Sequence, residues 1–333
     1  MWSVEYSRCS RLARRMVALA ILVVLPEAAR AQWHATVGAQ STTMGRQALA
    51  FLPNELWIHE GDSITWKFEA GEIHTVTLLG IGQVRPPFSL GCPPSSSNPP
   101  TFDGSTCVST PPLVEGATFT VKFPVPGNFK LVCLVHPDMT GVVHVLDLSQ
   151  PLPHTQNFYD EEAEAQTRAL LYDADRENDE EGGSAHHHSG EHQVTVGGGE
   201  IATNAGGAST LSVVRFVGHT VVIHAGQMVE WASDDPENPH TITFGTEPAG
   251  DPFPPSSNVT VDADGARHAV IHSTSDSVHS GFILAAPQDR TLLPQSPLSV
   301  TRFRITFTHP GTYPYICALH DNLGMKGKII VLP

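Results

Sequence analysis

Apolar and polar residues alternate in both halves of the chain, in stretches that correspond to one another. Residues 119–123 (FTVKF) and 303–307 (FRITF) have the period of two that is typical of a half-buried strand. Each stretch meets a Pro-Gly turn and then an aromatic, β-branched run that ends in cysteine, at 129–133 (FKLVC) and 313–317 (YPYIC). We therefore predict a β-rich fold built twice on one plan.

The upstream parts of the two halves also correspond. Residues 61–66 (GDSITW) lead after eight residues to His74, and residues 226–231 (GQMVEW) lead after nine residues to His240. A chain of 333 residues is long enough for two domains of ordinary size. We predict one domain over residues 32–148 and a second over 194–333.

The segment between the predicted domains, residues 149–193, is different in character. Residues 160–181 carry ten acidic residues against two arginines, and apolar residues recur there at helical spacing. We predict a linker with a short acidic helix that packs lightly on one domain, followed by a flexible stretch over 178–190. The linker histidines 186–188 and His192 have the composition of a weak metal-binding tract, but a solvated linker explains them better.

The N-terminus has the three-part pattern of a secretory signal. A basic start precedes an apolar run over residues 16–25, and Ala29-Arg30-Ala31 offers the small residues that a signal peptidase accepts. We predict a signal peptide over 1–31 and a periplasmic or secreted, soluble protein, with Sec and twin-arginine export both open. No later segment is apolar enough to span a membrane. Removal of the signal lowers the formal charge from −15 to −18, which argues against a nucleic-acid partner.

The five cysteines fall into three groups. Cys9 leaves with the signal, and Cys92 and Cys107 share one Pro/Ser-rich loop. In an oxidising compartment we expect the latter two to form a disulfide. Cys133 and Cys317 then remain unpaired, one in each half, and such thiols require an explanation.

The two unpaired cysteines each lie in a set of metal-ligating residue types. The first half offers His74 and Cys133-Leu-Val-His136-Pro-Asp-Met139, and the second offers His240 and Cys317-Ala-Leu-His320-Asp-Asn-Leu-Gly-Met325. Two imidazoles, a thiolate and a thioether are the ligands of a type 1 (blue) copper site. Zinc sites rarely use a thioether. We predict two type 1 copper ions, held by the members of these sets: His74, Cys133, His136, Met139, His240, Cys317, His320 and Met325.

These motifs resemble those of the cupredoxin family. The Cys-x₂-His-x₂-Met loop of the first half is similar to that of amicyanin, and the Cys-x₂-His-x₄-Met loop of the second to that of plastocyanin and pseudoazurin. The resemblance implies an all-β fold of two cupredoxin-like Greek-key β-sandwich domains joined by the acidic, partly helical linker. It also implies the eight residues above as copper ligands. One departure is that Thr75 and Thr241 follow the first histidine, where many small blue-copper proteins have asparagine.

The same resemblance predicts an electron carrier with redox protein partners and no enzymatic activity. Copper enzymes of this fold have a histidine directly beside the type 1 cysteine, whereas Val132 and Leu134 flank Cys133, and Ile316 and Ala318 flank Cys317. Copper storage or trafficking remains an alternative, because ten further histidines are scattered over the chain. A subunit of a copper oxidoreductase is a less favoured alternative. We expect electrons to enter and leave through the ring edges of His136 and His320, and two independent carriers on one chain are also consistent with the sequence.

Overall fold

The strands predicted from the alternating pattern belong to two pairs of sheets. The computed structural model describes residues 30–86, 91–183, 192–249, 254–285 and 300–333, and for 173–183 it describes the backbone alone. The predicted signal peptide therefore lies outside the described residues except for its last two positions, and so do the linker histidines 186–188. Within the described residues no helix is long and apolar enough to cross a membrane.

The described part of the first half is built from short strands: β1 (Gln32–Gln40), β2 (Arg46–Leu52), β3 (Glu55–His59), β4 (Ser63–Phe68), β5 (Thr77–Leu78), β6 (Val108–Ser109), β7 (Thr118–Lys122), β8 (Gly127–Val132) and β9 (Thr140–Leu146). Helix α1 (Gln156–Gly183) follows. The second half continues with β10 (His192–Val196), β11 (Gly199–Thr203), β12 (Ala208–Val213), β13 (Phe216–Val217), β14 (Thr220–His224), β15 (Met228–Ser233), β16 (Thr243–Phe244), β17 (Thr260–Val261), β18 (Arg267–Ile271), β19 (Val278–His279), β20 (Arg302–Phe307), β21 (Gly311–Ile316) and β22 (Lys326–Leu332).

The first half is a β-sandwich. One sheet has the order β11-β12-β2-β1-β4-β7 and the facing sheet has the order β3-β9-β8-β5-β6. Along β4 the alternation predicted from the sequence is present, since Ile64, Trp66 and Phe68 are buried while their neighbours in the strand face outward. Their side chains fill the space between the sheets together with residues of β8 and β9.

The second half repeats this arrangement with its own two sheets, ordered β13-β10-β15-β20-β18-β17 and β14-β22-β21-β16-β19. In β20 the residues Phe303, Ile305 and Phe307 are completely buried, as the period of two predicts. Trp231 of β15 is completely buried in this core and packs edge-on against Tyr315 of β21. The prediction of two β-sandwiches of the same plan is confirmed.

Helix α1 is longer and more firmly packed than the light spacer expected from the sequence. It runs for 28 residues, and its apolar side holds the buried residues Tyr159 and Leu170. The Tyr159 hydroxyl accepts a hydrogen bond from the Trp57 backbone N–H at 2.8 Å and donates one to the Trp57 carbonyl at 3.0 Å. A buried hydroxyl with both bonds satisfied anchors the start of the helix on the first half.

The two halves share a sheet. Strand β12, from the second half, pairs antiparallel with β2 of the first half, with Thr210 opposite Leu49 and Leu211 opposite Ala48. Leu211 packs there in a small buried cluster that also includes Leu170 of α1. Residues 31–333 form one compact unit as a result. Strand pairing and a buried apolar cluster therefore join the two halves directly.

The disulfide predicted in the Pro/Ser-rich loop is present. Cys92 and Cys107 are bonded, with their Cα atoms 5.8 Å apart, a separation that suits a disulfide. Cys133 and Cys317 are free and buried. The loop with the disulfide packs against Leu79, Val132 and Leu134, so it covers the strand that leads to Cys133.

Candidate metal centres

The four predicted ligands of the first half come from two places in the chain. His74 precedes β5 and is held by a two-bond backbone bridge to Leu113. Cys133 lies immediately after β8, and His136 and Met139 occupy the loop that leads to β9. This loop is closed by a bond from the Cys133 N–H to the Met139 carbonyl at 3.0 Å. The loop therefore returns His136 and Met139 to the end of the strand that carries the cysteine.

In the first half the ligand atoms of His74, Cys133 and His136 converge in a fully buried pocket. Nδ1 of His136 lies 3.1 Å from Nδ1 of His74 and 3.7 Å from Sγ of Cys133. His74, Cys133, His136 and Met139 are all 0% exposed. Two imidazole nitrogens and a cysteine sulfur directed at one point are donor atoms that a metal ion can bind together. The first site therefore fits a bound metal ion.

The second half repeats this geometry with a longer loop. Nδ1 of His240 and Nδ1 of His320 are 3.1 Å apart, and Sγ of Cys317 lies 3.4 Å from His320 Nδ1. The additional residues form a 3₁₀ turn over Asp321–Leu323 that ends at Gly324, whose φ of 93° is the left-handed conformation that glycine adopts without strain. The backbone N–H of Cys317 then bonds to the Met325 carbonyl at 3.1 Å, as in the shorter loop.

The surroundings of both cysteines favour the thiolate. Burial by itself raises the pKa of each thiol, but hydrogen bonds and charge from the two neighbouring histidines hold the pKa of Cys133 and of Cys317 well below the usual value. The thiolate is the form of cysteine that binds metal. Each half thus directs a cysteine thiolate and two imidazoles at a single point. His/Cys/His groups of this kind occur twice in the described residues.

Comparison with known proteins agrees with this geometry. Residues 199–332 match the model of the copper-binding proteins of the plastocyanin/azurin family. The match covers most of the second half, and the β-sandwich and the His/Cys/His group of the first half repeat the same plan. The matched model describes copper-binding proteins, in agreement with the copper predicted from the ligand motifs.

Solved cupredoxins are similar to parts of the chain. Plastocyanin from Dryopteris crassirhizoma is 20% identical over 42% of this chain and 99% of its own, with a TM-score of 0.21. A purple cupredoxin from Nitrosopumilus maritimus is 22% identical over 34% of this chain and 99% of its own, with a TM-score of 0.24. A reduced amicyanin mutant is 17% identical over 34% and 82%, with a TM-score of 0.24.

The threonine that replaces the usual asparagine makes the same contacts in each cupredoxin-like half. The backbone N–H of Thr75 lies 3.4 Å from Sγ of Cys133, and its Oγ1 accepts a 2.7 Å hydrogen bond from the Leu134 N–H. Thr241 repeats both contacts, at 3.4 Å to Cys317 Sγ and 2.8 Å from the Ala318 N–H. The threonine therefore ties the strand of the first histidine to the residue after the cysteine.

The first histidines of the two cupredoxin-like halves have different outer contacts. Nε2 of His240 donates to the fully buried Asp235 carboxylate at 3.2 Å, whereas Nε2 of His74 has no hydrogen-bond partner among the described residues. Ala70 takes the place of Asp235 in the first half. A Cβ built on Gly38 would touch Ala70 and His74, just as one built on Gly197 would touch Asp235 and His240.

The loop histidines of both cupredoxin-like halves face the other half rather than solvent. His136 is 0% exposed and His320 is 3% exposed. Nε2 of His136 donates to Oδ1 of Asn238, from the second half, at 3.0 Å, and Nε2 of His320 donates to Oε2 of Glu72, from the first half, at 3.2 Å. The expectation that these ring edges lie nearest to solvent is therefore wrong, because each half covers the loop histidine of the other.

Glu72 is a buried carboxylate between the loop histidines. Its other oxygen, Oε1, lies 3.9 Å from Nε2 of His136. Burial opposes its ionisation, yet the neighbouring histidines, His320 foremost, lower the pKa of Glu72 to about 2. Reasoning from the sequence missed Glu72, Asn238 and Asp235. The two halves did carry a signal, since Glu72 and Asn238 each stand two residues before the first histidine.

Proposed function

We propose that the chain is an electron-transfer protein with one type 1 copper in each cupredoxin-like half. His74, Cys133, His136 and Met139 would hold the first ion. His240, Cys317, His320 and Met325 would hold the second. Bound copper supplies a one-electron couple, and the protein supplies a rigid ligand set. The proposal extends to the domains, 32–148 and 194–333, to export to the periplasm or cell exterior, and to redox proteins as external partners.

The observation that carries this proposal is a buried pocket that occurs once in each half. In each pocket one cysteine sulfur and the Nδ1 atoms of two histidines lie close together. A buried pocket closed by short backbone-bonded loops restrains its ligands when the charge of the ion changes, which suits rapid electron exchange. The His₂Cys set with a methionine is the donor set that copper takes in blue-copper sites. Burial also keeps substrates away from the ion, which supports a carrier over an enzyme.

The test is the visible spectrum and copper content of the purified protein. We expect two coppers per chain and an intense blue colour from thiolate-to-copper charge transfer. Cys133→Ser and Cys317→Ser should each remove the blue absorbance of one copper site. Reversible bleaching by a mild reductant separates a carrier from a store. A copper-loaded protein without the blue band would overturn the assignment.

A further inference from the structure

The loop histidine of each metal centre donates a hydrogen bond to a residue of the opposite half. Glu72 of the first half accepts the hydrogen bond of His320, a predicted ligand of the second site. Asn238 of the second half accepts the hydrogen bond of His136, a predicted ligand of the first. Because these residues occupy equivalent positions in the repeat, the exchange follows an approximate two-fold relation between the halves.

A continuous chain of buried hydrogen bonds also connects one site with the other. From Nε2 of His136 it passes to Oδ1 of Asn238 at 3.0 Å, and from Asn238 Nδ2 to Ser212 Oγ at 2.9 Å. Ser212 Oγ donates to Oδ2 of Asp235 at 2.6 Å, and the same oxygen accepts from Nε2 of His240 at 3.2 Å. All five residues have 0% exposure.

The interface around these contacts is held by further bonds. The guanidinium of Arg215 donates to the Leu323 carbonyl in the second ligand loop at 2.8 Å and to the Thr43 carbonyl of the first half at 2.6 Å. In the first ligand loop, the Asp138 N–H donates to Oε1 of Glu237 at 2.8 Å. Each ligand loop is thereby tied to the opposite half, so the relative position of the two sites is well defined.

We propose that the two halves work as one redox unit, in which Glu72 and Asn238 couple the metal sites and an electron passes between the sites within the molecule. This inference rests on the proposed function. The transfer moves one electron from the site of one half to the site of the other, and it breaks no bond and moves no proton. The ring edges that would serve an external partner are the ones buried in this contact.

The outer contacts also define a direction for the transfer. Both histidines of the second site donate to carboxylates, His240 to Asp235 and His320 to Glu72. In the first site, His136 donates to an amide. A carboxylate on a ligating histidine increases the basicity of the ligand and so favours the more highly charged, oxidised metal. The second site is therefore the donor and the first site the acceptor.

The coupling is tested by a substitution in one half and a measurement in the other. Glu72→Gln is introduced into the Cys133→Ser protein, where only the second site forms blue copper. We expect the preference of the second site for Cu(II) over Cu(I) to fall about tenfold, which is a rise of about 59 mV in a spectroelectrochemical titration. Glu230→Gln removes a buried carboxylate of the second half that pairs with Arg304. This matched control should leave the potential unchanged.

The reciprocal substitution is Asn238→Asp in the Cys317→Ser protein, and it should lower the potential of the first site. It also serves as the test if circular dichroism shows that Glu72→Gln does not fold. Unchanged potentials in the folded variants would refute the coupling while leaving two blue coppers, and hence the proposed function, in place. Absence of the blue sites from the unsubstituted protein would instead refute the proposed function.

Transfer within the molecule is tested by rapid one-electron reduction of the fully oxidised protein at substoichiometric reductant. We expect a redistribution of the blue absorbance between the sites at a rate that does not depend on protein concentration. A rate proportional to protein concentration would show that the electron passes between molecules and would refute the internal route.

Discussion

Substitution of Asp235 by asparagine measures how far one outer carboxylate sets the potential of the second site. The Asp235 carboxylate is completely buried and accepts the Nε2–H of His240 at 3.2 Å. Burial opposes its ionisation, but the hydrogen bond and charge of His240 keep the pKa of Asp235 below its usual range. A copper ion held there as proposed would carry one more positive charge when oxidised than when reduced, so the carboxylate would stabilise the oxidised state more. Loss of the charge should therefore raise the reduction potential.

The size of the effect follows from the contact. Removal of an outer partner of a ligating histidine typically costs about 10–100-fold in metal affinity. If that loss falls on the oxidised state, it corresponds to a rise of about 60–120 mV for a one-electron couple. Asp235 also accepts from Ser212 and from two backbone N–H groups, whereas asparagine has a single acceptor oxygen. Each buried donor that loses its partner costs about 1–3 kcal/mol of unfolding free energy.

The assay is a spectroelectrochemical titration of Asp235→Asn in the Cys133→Ser background, with the unfolding free energy measured in parallel. Ala70→Asp in the Cys317→Ser background provides the opposite change, since Ala70 occupies the matching place beside His74. We expect the first site to become easier to oxidise. A second site with reduced stability but an unchanged or lower potential would show that Asp235 has a structural role only.

Three further predictions concern stability. Thr75→Val should lower the unfolding free energy of the metal-free protein by about 1–3 kcal/mol, measured by urea denaturation, because one buried N–H of the metal-binding loop loses its acceptor. Joint replacement of Cys92 and Cys107 by alanine should cost about 3 kcal/mol in the same assay, since the bond closes a loop of 15 residues, and an unchanged midpoint would contradict this. Hydrogen bonds, above all from Arg304, lower the pKa of Asp264 to about 2. The ionised carboxylate therefore stabilises the folded state above the unfolded pKa, and this stabilisation is lost as the pH falls through about 2. Asp264→Asn should flatten the acid unfolding curve in that window.

The sequence by itself was sufficient for the features that depend on residues close together in the chain. Alternation placed Phe303, Ile305 and Phe307 on the core side of their strand, because the side chains of a strand point alternately to its two faces. The spacing from Cys133 to Met139 predicted a short closed loop, and in the structure the Cys133 N–H bonds to the Met139 carbonyl across it. The first histidine of each set was found through the repeat, although its contact with the cysteine is a long-range one.

The docking of the two sandwiches, by contrast, was decided only by the tertiary structure. The pairing of β12 with β2 positions Glu72 beside His320 and Asn238 beside His136, and no local pattern links residues so far apart in the chain. The same docking buries the ring edges that each sandwich alone would expose to solvent. Whether a polar side chain two residues before a ligand serves its own site or the neighbouring one depends on the surface that covers it, and that surface belongs to the other half of the chain.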